Sequence, residues 1–225
     1  MGILIAIEGG DGSGKATQSE LLTKRLKAAG LNAHKISFPA YAEPSSTLVK
    51  MYLAGEFGKN SSDVNAYAAS LFYAVDRYAT FKKDWGSVYA EDDAIIIADR
   101  YTTANALHQV TKLPQEERKA FLDWLYDLEY NKIGLPKPDT VFYLDVRPEV
   151  SEKLRRSRES KTHTKPDIHE NLAFQQETYK SAHFVVQHGG WTVVPCTNDT
   201  GDGMRSVESI SDELYAFTVS RLCER

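Results

Sequence analysis

The chain has 225 residues, a length that suits one α/β domain or one domain with a small insert. Its 27 Lys and Arg residues against 31 Asp and Glu residues give a net charge of −4, which argues against nucleic-acid binding by broad electrostatic attraction. No apolar run is long enough to span a membrane and no secretory signal opens the chain, so we expect a cytoplasmic protein without a membrane or nucleic-acid partner.

Five short apolar runs are predicted to be strands, at residues 3–9, 32–39, 94–99, 140–146 and 191–196. Three of them are almost continuously apolar, as expected for a parallel sheet that is covered on both faces. Stretches with helical periodicity follow at residues 15–29, about 63–83, 114–130, 168–187 and 206–223. This alternation predicts an α/β fold with a doubly wound parallel sheet.

The sequence GGDGSGKATQ, residues 9–18, lies between the first predicted strand and the first predicted helix. Gly9, Gly14 and Lys15 match the motif G-x-x-x-x-G-K-[ST], whose glycines let backbone N–H groups turn towards phosphate oxygens. The motif fails at Ala16, where a hydroxyl normally reaches a phosphate-bound Mg²⁺. The context favours a phosphate site over a simple glycine-rich turn. Asp11 and Asp99 are the carboxylates available to hold Mg²⁺.

Asp99 and Arg100 end the third predicted strand. A carboxylate at this end of a strand, beside a phosphate loop, is typical of the magnesium-orienting aspartate of phosphoryl-transfer enzymes. The alternative is that Asp99 caps the following helix. Arg100 is suited to a bidentate grip on a second phosphate, so the pair favours a site with both a phosphoryl donor and an acceptor.

The segment RRSRESKTHTKPDIHEN, residues 155–171, is too long for an ordinary connection and too basic for the core. Its cations are spaced to cover a polyphosphate if the segment folds down as a lid; they are Arg155, Arg156, Arg158, Lys161 and Lys165. On composition alone, a solvated charged surface is the alternative interpretation.

Five segments together resemble the thymidylate kinase family: IEGGDGSGKATQ, SFPAY, FYAVDRY, ADRYTTANALHQ and FYLDVRPEVSEKLRRSRE. The resemblance runs from about residue 3 to about residue 180. It implies a P-loop nucleoside-monophosphate-kinase fold, with a five-stranded parallel sheet flanked by helices. The expected organisation is a single P-loop kinase domain over residues 1–225, with residues 155–171 as a basic lid.

The activity that the resemblance implies is transfer of the γ-phosphoryl group of ATP to dTMP, which yields dTDP for DNA-precursor synthesis. Mg²⁺ is the implied cofactor, and a homodimer is the implied assembly. The residues with implied catalytic roles are Lys15, Asp11, Asp99, Arg100 and Arg158. Asp99 and Asp11 are the implied metal ligands, and Asp167 and Glu170 match an acidic pair that follows the lid.

The resemblance also divides the remaining residues between the two nucleotides. ATP is assigned to Gly9, Gly10, Asp11, Gly12, Ser13, Gly14, Lys15, Ala16 and Thr17, with Arg155 and Arg156 from the lid. The residues assigned to dTMP are Asp11, Tyr41, Tyr73, Arg77, Arg100, Asn105 and His108. Among them, Tyr73 would stack on thymine, Arg77 would contact the O4 side of the base, and Asn105 would bind the thymine edge. For Tyr73 alone, a packed core aromatic is the competing interpretation.

Four positions depart from the family pattern, and one of them is Ala104, where the family often has serine. Ala40 stands where many members have arginine, and Gly12 stands where some members have arginine. The resemblance implies that Arg158 and its neighbours replace the arginine that is missing at position 12. His108 replaces a tyrosine near the deoxyribose, which predicts weaker exclusion of ribose. Ala16 agrees with members that lack a hydroxyl after the lysine.

Three other functions were weighed against a thymidylate kinase. A deoxynucleoside kinase or another pyrimidine nucleoside-monophosphate kinase shares the phosphate loop but needs a different acceptor pocket. A GTP-binding switch is disfavoured because NKIG, residues 131–134, lacks the aspartate of the guanine-reading motif. A regulatory nucleotide-binding protein without catalysis is disfavoured by Asp99, Arg100 and the arginine-rich lid.

Overall fold

A computed structural model describes residues 1–153 and 172–223, and within them five parallel strands form one sheet. The strands are β1 (Ile3–Gly9), β2 (Ala33–Ser37), β3 (Ile95–Asp99), β4 (Thr140–Asp145) and β5 (Thr192–Pro195). Their order is β2-β3-β1-β4-β5, so β1 is central, with β2 and β3 on one side and β4 and β5 on the other. The predicted doubly wound α/β fold is therefore confirmed, and the predicted strand ends differ from the observed ones by at most two residues.

Helices cover both faces of the sheet. They are α1 (Lys15–Ala28), α2 (Thr47–Leu53), α3 (Ala66–Thr80), α4 (Gly86–Tyr89), α5 (Thr102–Gln109), α6 (Gln115–Tyr126), α7 (Leu172–Gly189) and α8 (Val207–Cys223). Residues 148–153 are also helical. Short 3₁₀ turns lie at Pro44–Ser46, Ser61–Asp63 and Val110–Lys112, and π-helical turns at Phe81–Trp85 and Asp127–Lys132 extend α3 and α6. The sequence did not predict α2 or α4, because seven and four residues are too few for a clear helical period.

The core has a layer on each face of the sheet, as the apolar strands predicted. On one face, Ile5 and Ile7 of β1 pack with Leu22 and Leu26 of α1 and with Leu214 of α8. On the other face, Leu4, Ala6, Ile96 and Ala98 pack with the aromatic side chains of Trp85, Tyr89 and Tyr101. The predicted closing helix is thus part of the core, although Val207 at its start is 44% exposed. No helix in the described part of the chain is both long and apolar enough to cross a membrane.

The register of the sheet decides where the polar residues meet. Strand β1 pairs with β3 so that Ile7 lies beside Asp99, and it pairs with β4 so that Gly9 lies beside Leu144. The loop after β1 and the Asp99–Arg100 pair after β3 therefore emerge side by side at the carboxyl edge of the sheet. This edge is where open α/β sheets bind their ligands.

Candidate active site

The phosphate loop is shaped by glycines with left-handed backbone conformations. Gly12 has a φ of 80°, and Gly14, which precedes the first residue of α1, has a φ of 90°. A Cβ atom on Gly12 would lie 2.7 Å from the carbonyl oxygen of Ser151. An arginine at position 12, as in some family members, therefore cannot be accommodated here unless the backbone shifts. The first turn of α1 carries no acidic side chain that would oppose an anion at the N–H groups of its start.

Lys15 is buried beneath this loop. Its ammonium group donates hydrogen bonds to the carbonyl oxygens of Gly9 at 3.0 Å and Gly10 at 2.7 Å. Burial and the neighbouring charge of Arg100 lower the pKa of Lys15 to about 8, against the opposing effect of Asp11. An ammonium group has three donors, so the two bonds to the loop leave one for a phosphate oxygen.

Arg100 links the loop to α5. Its backbone has a φ of 67°, a left-handed conformation that costs a residue with a Cβ atom roughly 1–2 kcal/mol. The guanidinium group forms an ion pair with Asp11 and donates to Nε2 of His108 at 3.1 Å. Because arginine only donates, Nε2 of His108 is the acceptor of this hydrogen bond. Burial would raise the pKa of Asp11, but the charges of Arg100 and Lys15 outweigh it and hold this pKa below its usual range.

Glu8, which the sequence interpretation missed, is completely buried behind these charges. Its Oε1 accepts hydrogen bonds from the backbone N–H of Tyr101 at 2.8 Å and from the hydroxyl of Thr103 at 2.6 Å. Burial raises the pKa of Glu8 to about 7, although the Thr103 hydrogen bond and the charge of Arg100 oppose this shift. The motif offered one signal, a glutamate interrupting an otherwise apolar strand.

A cavity of about 330 Å³ opens beside the loop. Its wall includes all seven residues that the resemblance assigned to dTMP, together with Asp99; the seven are Asp11, Tyr41, Tyr73, Arg77, Arg100, Asn105 and His108. Tyr73 is half-buried and meets Tyr52 edge-on, with 6.4 Å between ring centroids, while Tyr41 is 53% exposed. Tyr73 therefore contributes to packing and also faces the cavity, so the two interpretations of this residue are compatible.

Arg77 is held in the cavity wall by a buried ion pair with Glu129, a second residue that the sequence interpretation missed. The two side chains are only 1% and 0% exposed. Nε of Arg77 donates to Oε2 of Glu129 at 2.7 Å, Nη2 donates to Oε1, and the hydroxyl of Thr102 donates to Oε2 at 2.7 Å. Burial would lower the pKa of Arg77, but Glu129 outweighs it and raises this pKa. Arg77 is thus a fixed, charged group.

Two further polar residues are held by neighbouring elements. Asn105 on α5 donates from Nδ2 to the carbonyl oxygen of Ser70 on α3 at 3.2 Å, which orients its amide. Asp76, next to Arg77, accepts from the N–H of Ala40 at 2.8 Å and from the hydroxyl of Ser45 at 2.6 Å. The backbone of Ala40 therefore anchors the loop that carries Tyr41, even though its side chain cannot contact a phosphate.

The remaining predicted residues fall into two groups. Ala16 and Thr17 lie exposed in the first turn of α1. The lid, residues 155–171, lies outside the described residues, and with it Arg155, Arg156, Arg158, Lys161, Lys165, Asp167 and Glu170. The alternative role of Asp99, a cap on α5, is not observed: the helix start has no side-chain cap, the N–H of Tyr101 donates to Glu8, and Asp99 lines the cavity.

Comparison with known proteins agrees with this geometry. A family model described as thymidylate kinase matches residues 7–207. The chain is 30% identical over 205 residues to thymidylate kinase of Mycobacterium tuberculosis (strain CDC 1551 / Oshkosh), covering 88% of this chain and 94% of the relative. It is 29% identical to probable thymidylate kinase of Staphylothermus marinus, and the match covers 96% of this chain and 98% of the relative. It is 26% identical to thymidylate kinase of Homo sapiens, and the match covers 96% of this chain and 90% of the relative.

The buried pair gives a stability prediction. Replacing Glu129 with Gln should lower the free energy of unfolding by about 3–5 kcal/mol, because it leaves the Arg77 charge buried without its partner. Urea denaturation measures this change.

Asp123 offers the matched control, since its ion pair with Lys119 is exposed, at 54% and 69% of the two side chains. Asp123→Asn should change the free energy of unfolding by less than about 1 kcal/mol. Equal effects of the two substitutions would contradict the importance given to the buried pair.

Proposed function

The chain belongs to the thymidylate kinase family, and we propose that it transfers the γ-phosphoryl group of ATP to dTMP and so produces dTDP. It is a phosphotransferase of DNA-precursor synthesis. The observation that carries the proposal is one cavity whose wall combines the cation Arg100 and the carboxylate Asp11 with groups suited to a base, Tyr73, Arg77 and Asn105. The cavity adjoins the phosphate loop through Asp11, so a donor and an acceptor fit next to each other.

ATP is the proposed donor, held by the backbone of residues 9–17 and by Lys15. The left-handed glycines at positions 12 and 14 support this role, as does the helix start at Lys15. Lys15 lies close enough to the loop carbonyls to stay in place when phosphates bind in front of it. From the family resemblance, we propose that Arg155, Arg156 and Arg158 approach the same phosphates from the lid, where charge spreads during transfer.

Mg²⁺ is the proposed cofactor, and the residues present fit it. Mg²⁺ in such sites takes one or two carboxylates, several waters and phosphate oxygens, and when bound it neutralises phosphate charge. Asp11 and Asp99 both line the cavity. Because Asp11 is already paired with Arg100, Asp99 is the carboxylate we assign first to the metal.

The polar groups of the cavity match the Watson–Crick edge of thymine. Arg77 carries only donors and suits the O4 acceptor of thymine or uracil. Because Nδ2 of Asn105 is bound to Ser70, the amide can offer its oxygen, which suits the N3–H donor of the same bases. Cytosine presents an amino group and an unprotonated N3 at these positions, so both contacts would fail.

We further propose one kinase domain over residues 1–225 with residues 155–171 as its lid, assembled as a cytoplasmic homodimer. Contacts between the ends of the chain support one domain: Arg25 of α1 donates to Asp212 of α8 at 2.7 Å. A row of exposed apolar side chains on α3 supports an interface with a second copy; they are Tyr67 (37%), Leu71 (44%), Val75 (52%) and Tyr78 (41%). Two cysteines without a disulfide, Cys196 and Cys223, fit a reducing compartment.

The proposed function is tested by the choice of acceptor. In an assay of ADP release, dTMP and dUMP should be phosphorylated and dCMP rejected. One methyl group in an apolar pocket is worth about 1–3 kcal/mol, so kcat/KM should favour dTMP over dUMP by roughly ten- to two-hundredfold. Ribo-TMP should be accepted at a modest penalty because His108 replaces a bulkier ring near the sugar.

Thymidine is the matched control acceptor, since it has the base but no phosphate for Arg100. Faster turnover of thymidine than of dTMP would identify a deoxynucleoside kinase, and preference for dCMP would identify another pyrimidine nucleoside-monophosphate kinase. If Asn105 binds the thymine edge as assigned, Asn105→Ala should lower the ratio of kcat/KM for dTMP to kcat/KM for dCMP.

Lys15 should make the binding of ATP depend on pH. The free enzyme loses the Lys15 charge as the pH rises through about 8, so kcat/KM for ATP should fall above that pH. Bound phosphates favour the charged form of Lys15, so kcat should stay constant to a higher pH than kcat/KM for ATP does. Lys15→Ala should lower kcat by at least about a hundredfold.

Lys112 provides the control for this pH profile. Burial lowers its pKa to about 8 as well, but it donates to the hydroxyl of Tyr52 and to the carbonyl oxygen of Val64, away from the loop. In Lys112→Met, kcat/KM for ATP should therefore still fall at alkaline pH. A wild-type profile that stays flat to pH 10 would exclude a phosphate-bridging role for Lys15.

Asp99 should set the requirement for Mg²⁺. Asp99→Asn should raise the Mg²⁺ concentration for half-maximal rate by about ten- to a hundredfold, the usual effect of losing a group that holds or orients a metal. Ala16→Ser, which restores the hydroxyl of the motif, should lower this concentration or leave it unchanged. An unaltered Mg²⁺ dependence in Asp99→Asn would contradict the assignment.

A further inference from the structure

The buried Glu8 connects three parts of the active site. It is the penultimate residue of β1, directly before the phosphate loop, and no part of it is exposed. Its Oε1 reaches across to α5, where it accepts from the N–H of Tyr101 and from the hydroxyl of Thr103. A carboxylate buried in this way would be costly unless its hydrogen bonds served the structure.

The start of α5 depends on this contact from outside. Tyr101 is the residue before the helix, and its own side chain provides no cap; its hydroxyl instead donates to the carbonyl oxygen of Pro136. In a capping box, a side chain from the helix's own first turn accepts from the N–H of the residue before the helix. Here the acceptor is supplied by Glu8, on a different element of the sheet.

Two consecutive residues of β1 hold the backbone on either side of Arg100. The N–H of Arg100 donates to the carbonyl oxygen of Ile7 at 3.2 Å, and the next N–H, that of Tyr101, donates to Glu8. Between these two bonds the chain takes the left-handed turn, with a φ of 67°, that brings the guanidinium group to Asp11 and His108. A strained conformation of this kind persists only where its surroundings impose it.

We propose that Glu8 is a positioning residue for the acceptor phosphate: by tying the start of α5 to the end of β1, it imposes the backbone conformation that aims Arg100. This proposal rests on the proposed function, which gives Arg100 the acceptor phosphate. Glu8 itself contacts neither nucleotide. It acts through the geometry of Arg100.

The charges around Glu8 agree with this role. From α1 it faces Lys15, and from the end of β3 it faces Arg100; both cations favour its ionised form. From α6 it faces the hydroxyl of Tyr126. Within the described residues its Oε2 accepts no hydrogen bond, so the hydrogen bonds that the side chain receives are those at the start of α5.

The test is a double-mutant cycle with Glu8→Ala, Arg100→Ala and the double variant. Glu8→Ala should raise the KM for dTMP about tenfold or more, because a misplaced binding group is costly, and should leave the KM for ATP nearly unchanged. In the Arg100→Ala background, Glu8→Ala should add little, since its effect passes through the arginine. Full additivity, or equal increases in both KM values, would overturn the proposal and leave a purely structural role.

Conservative variants guard against a loss of folding. In Glu8→Gln the amide oxygen can accept the same two hydrogen bonds, so this variant should recover most of the dTMP affinity lost in Glu8→Ala. Thr103→Val removes only one hydrogen bond and should raise the KM for dTMP by a smaller factor, again without effect on the Arg100→Ala background. A KM for dTMP that is unchanged in Thr103→Val and in a folded Glu8→Ala would overturn the proposal.

A crystal structure of Glu8→Ala separates this proposal from the proposed function. If wild-type enzyme failed to phosphorylate dTMP, the proposed function alone would fall. The backbone of residue 100 would still report on Glu8: loss of the positive φ or of the contact with Asp11 is the expected result. A residue 100 unchanged in both respects would overturn the positioning role.

Discussion

The active site depends on a balance of buried charges at one edge of the sheet. Lys15 and Arg100 lie close enough for Arg100 to lower the pKa of Lys15, so the two cations repel each other before any phosphate arrives. Asp11, Asp99 and Glu8 offset this repulsion, each from a different position on the loop, β3 and β1. Because the cations are already in place, a polyphosphate meets an arranged set of donors rather than a flexible one, which is what electrostatic catalysis of phosphoryl transfer requires.

The cavity wall around Arg77 is held in place by a different kind of interaction. There the cation, Arg77, is fixed by the two-pronged contact with Glu129 and by the packing of α3 against α5. A buried ion pair adds little stability compared with apolar packing, but it holds a guanidinium group in a single orientation. Selectivity between bases requires such an orientation, because a mobile arginine could satisfy several different edges. In the proposed function, Lys15 and Arg100 would bind phosphate charge, whereas Arg77 would distinguish one base from another.

The sequence was sufficient for the strands and for the order of the motifs, and with the family resemblance it identified eight of the residues that line the cavity. Continuous apolar runs specify a two-faced parallel sheet, and the sheet alone brings Asp99 and Arg100 beside the loop. Glu8, Glu129 and Asp76 were missed because each acts through a partner far away in the chain: Glu129 lies 52 positions from Arg77, and Glu8 lies 93 from Tyr101. Local pattern carries no information about such pairs. The helix α2 was missed because its seven residues contain too few turns to show a helical period.

The departures from the family pattern have a common physical consequence. At position 12 a side chain would meet the backbone of Ser151, and at position 40 the chain contributes a backbone N–H to Asp76 rather than a charged side chain. Two arginines that other members place near the phosphates are therefore absent from the loops around this cavity. Developing charge on the transferred group still has to be neutralised, since phosphoryl transfer relies on little else. We infer that the missing positive charge comes from the segment after residue 153, whose sequence concentrates Arg155, Arg156 and Arg158 within four positions.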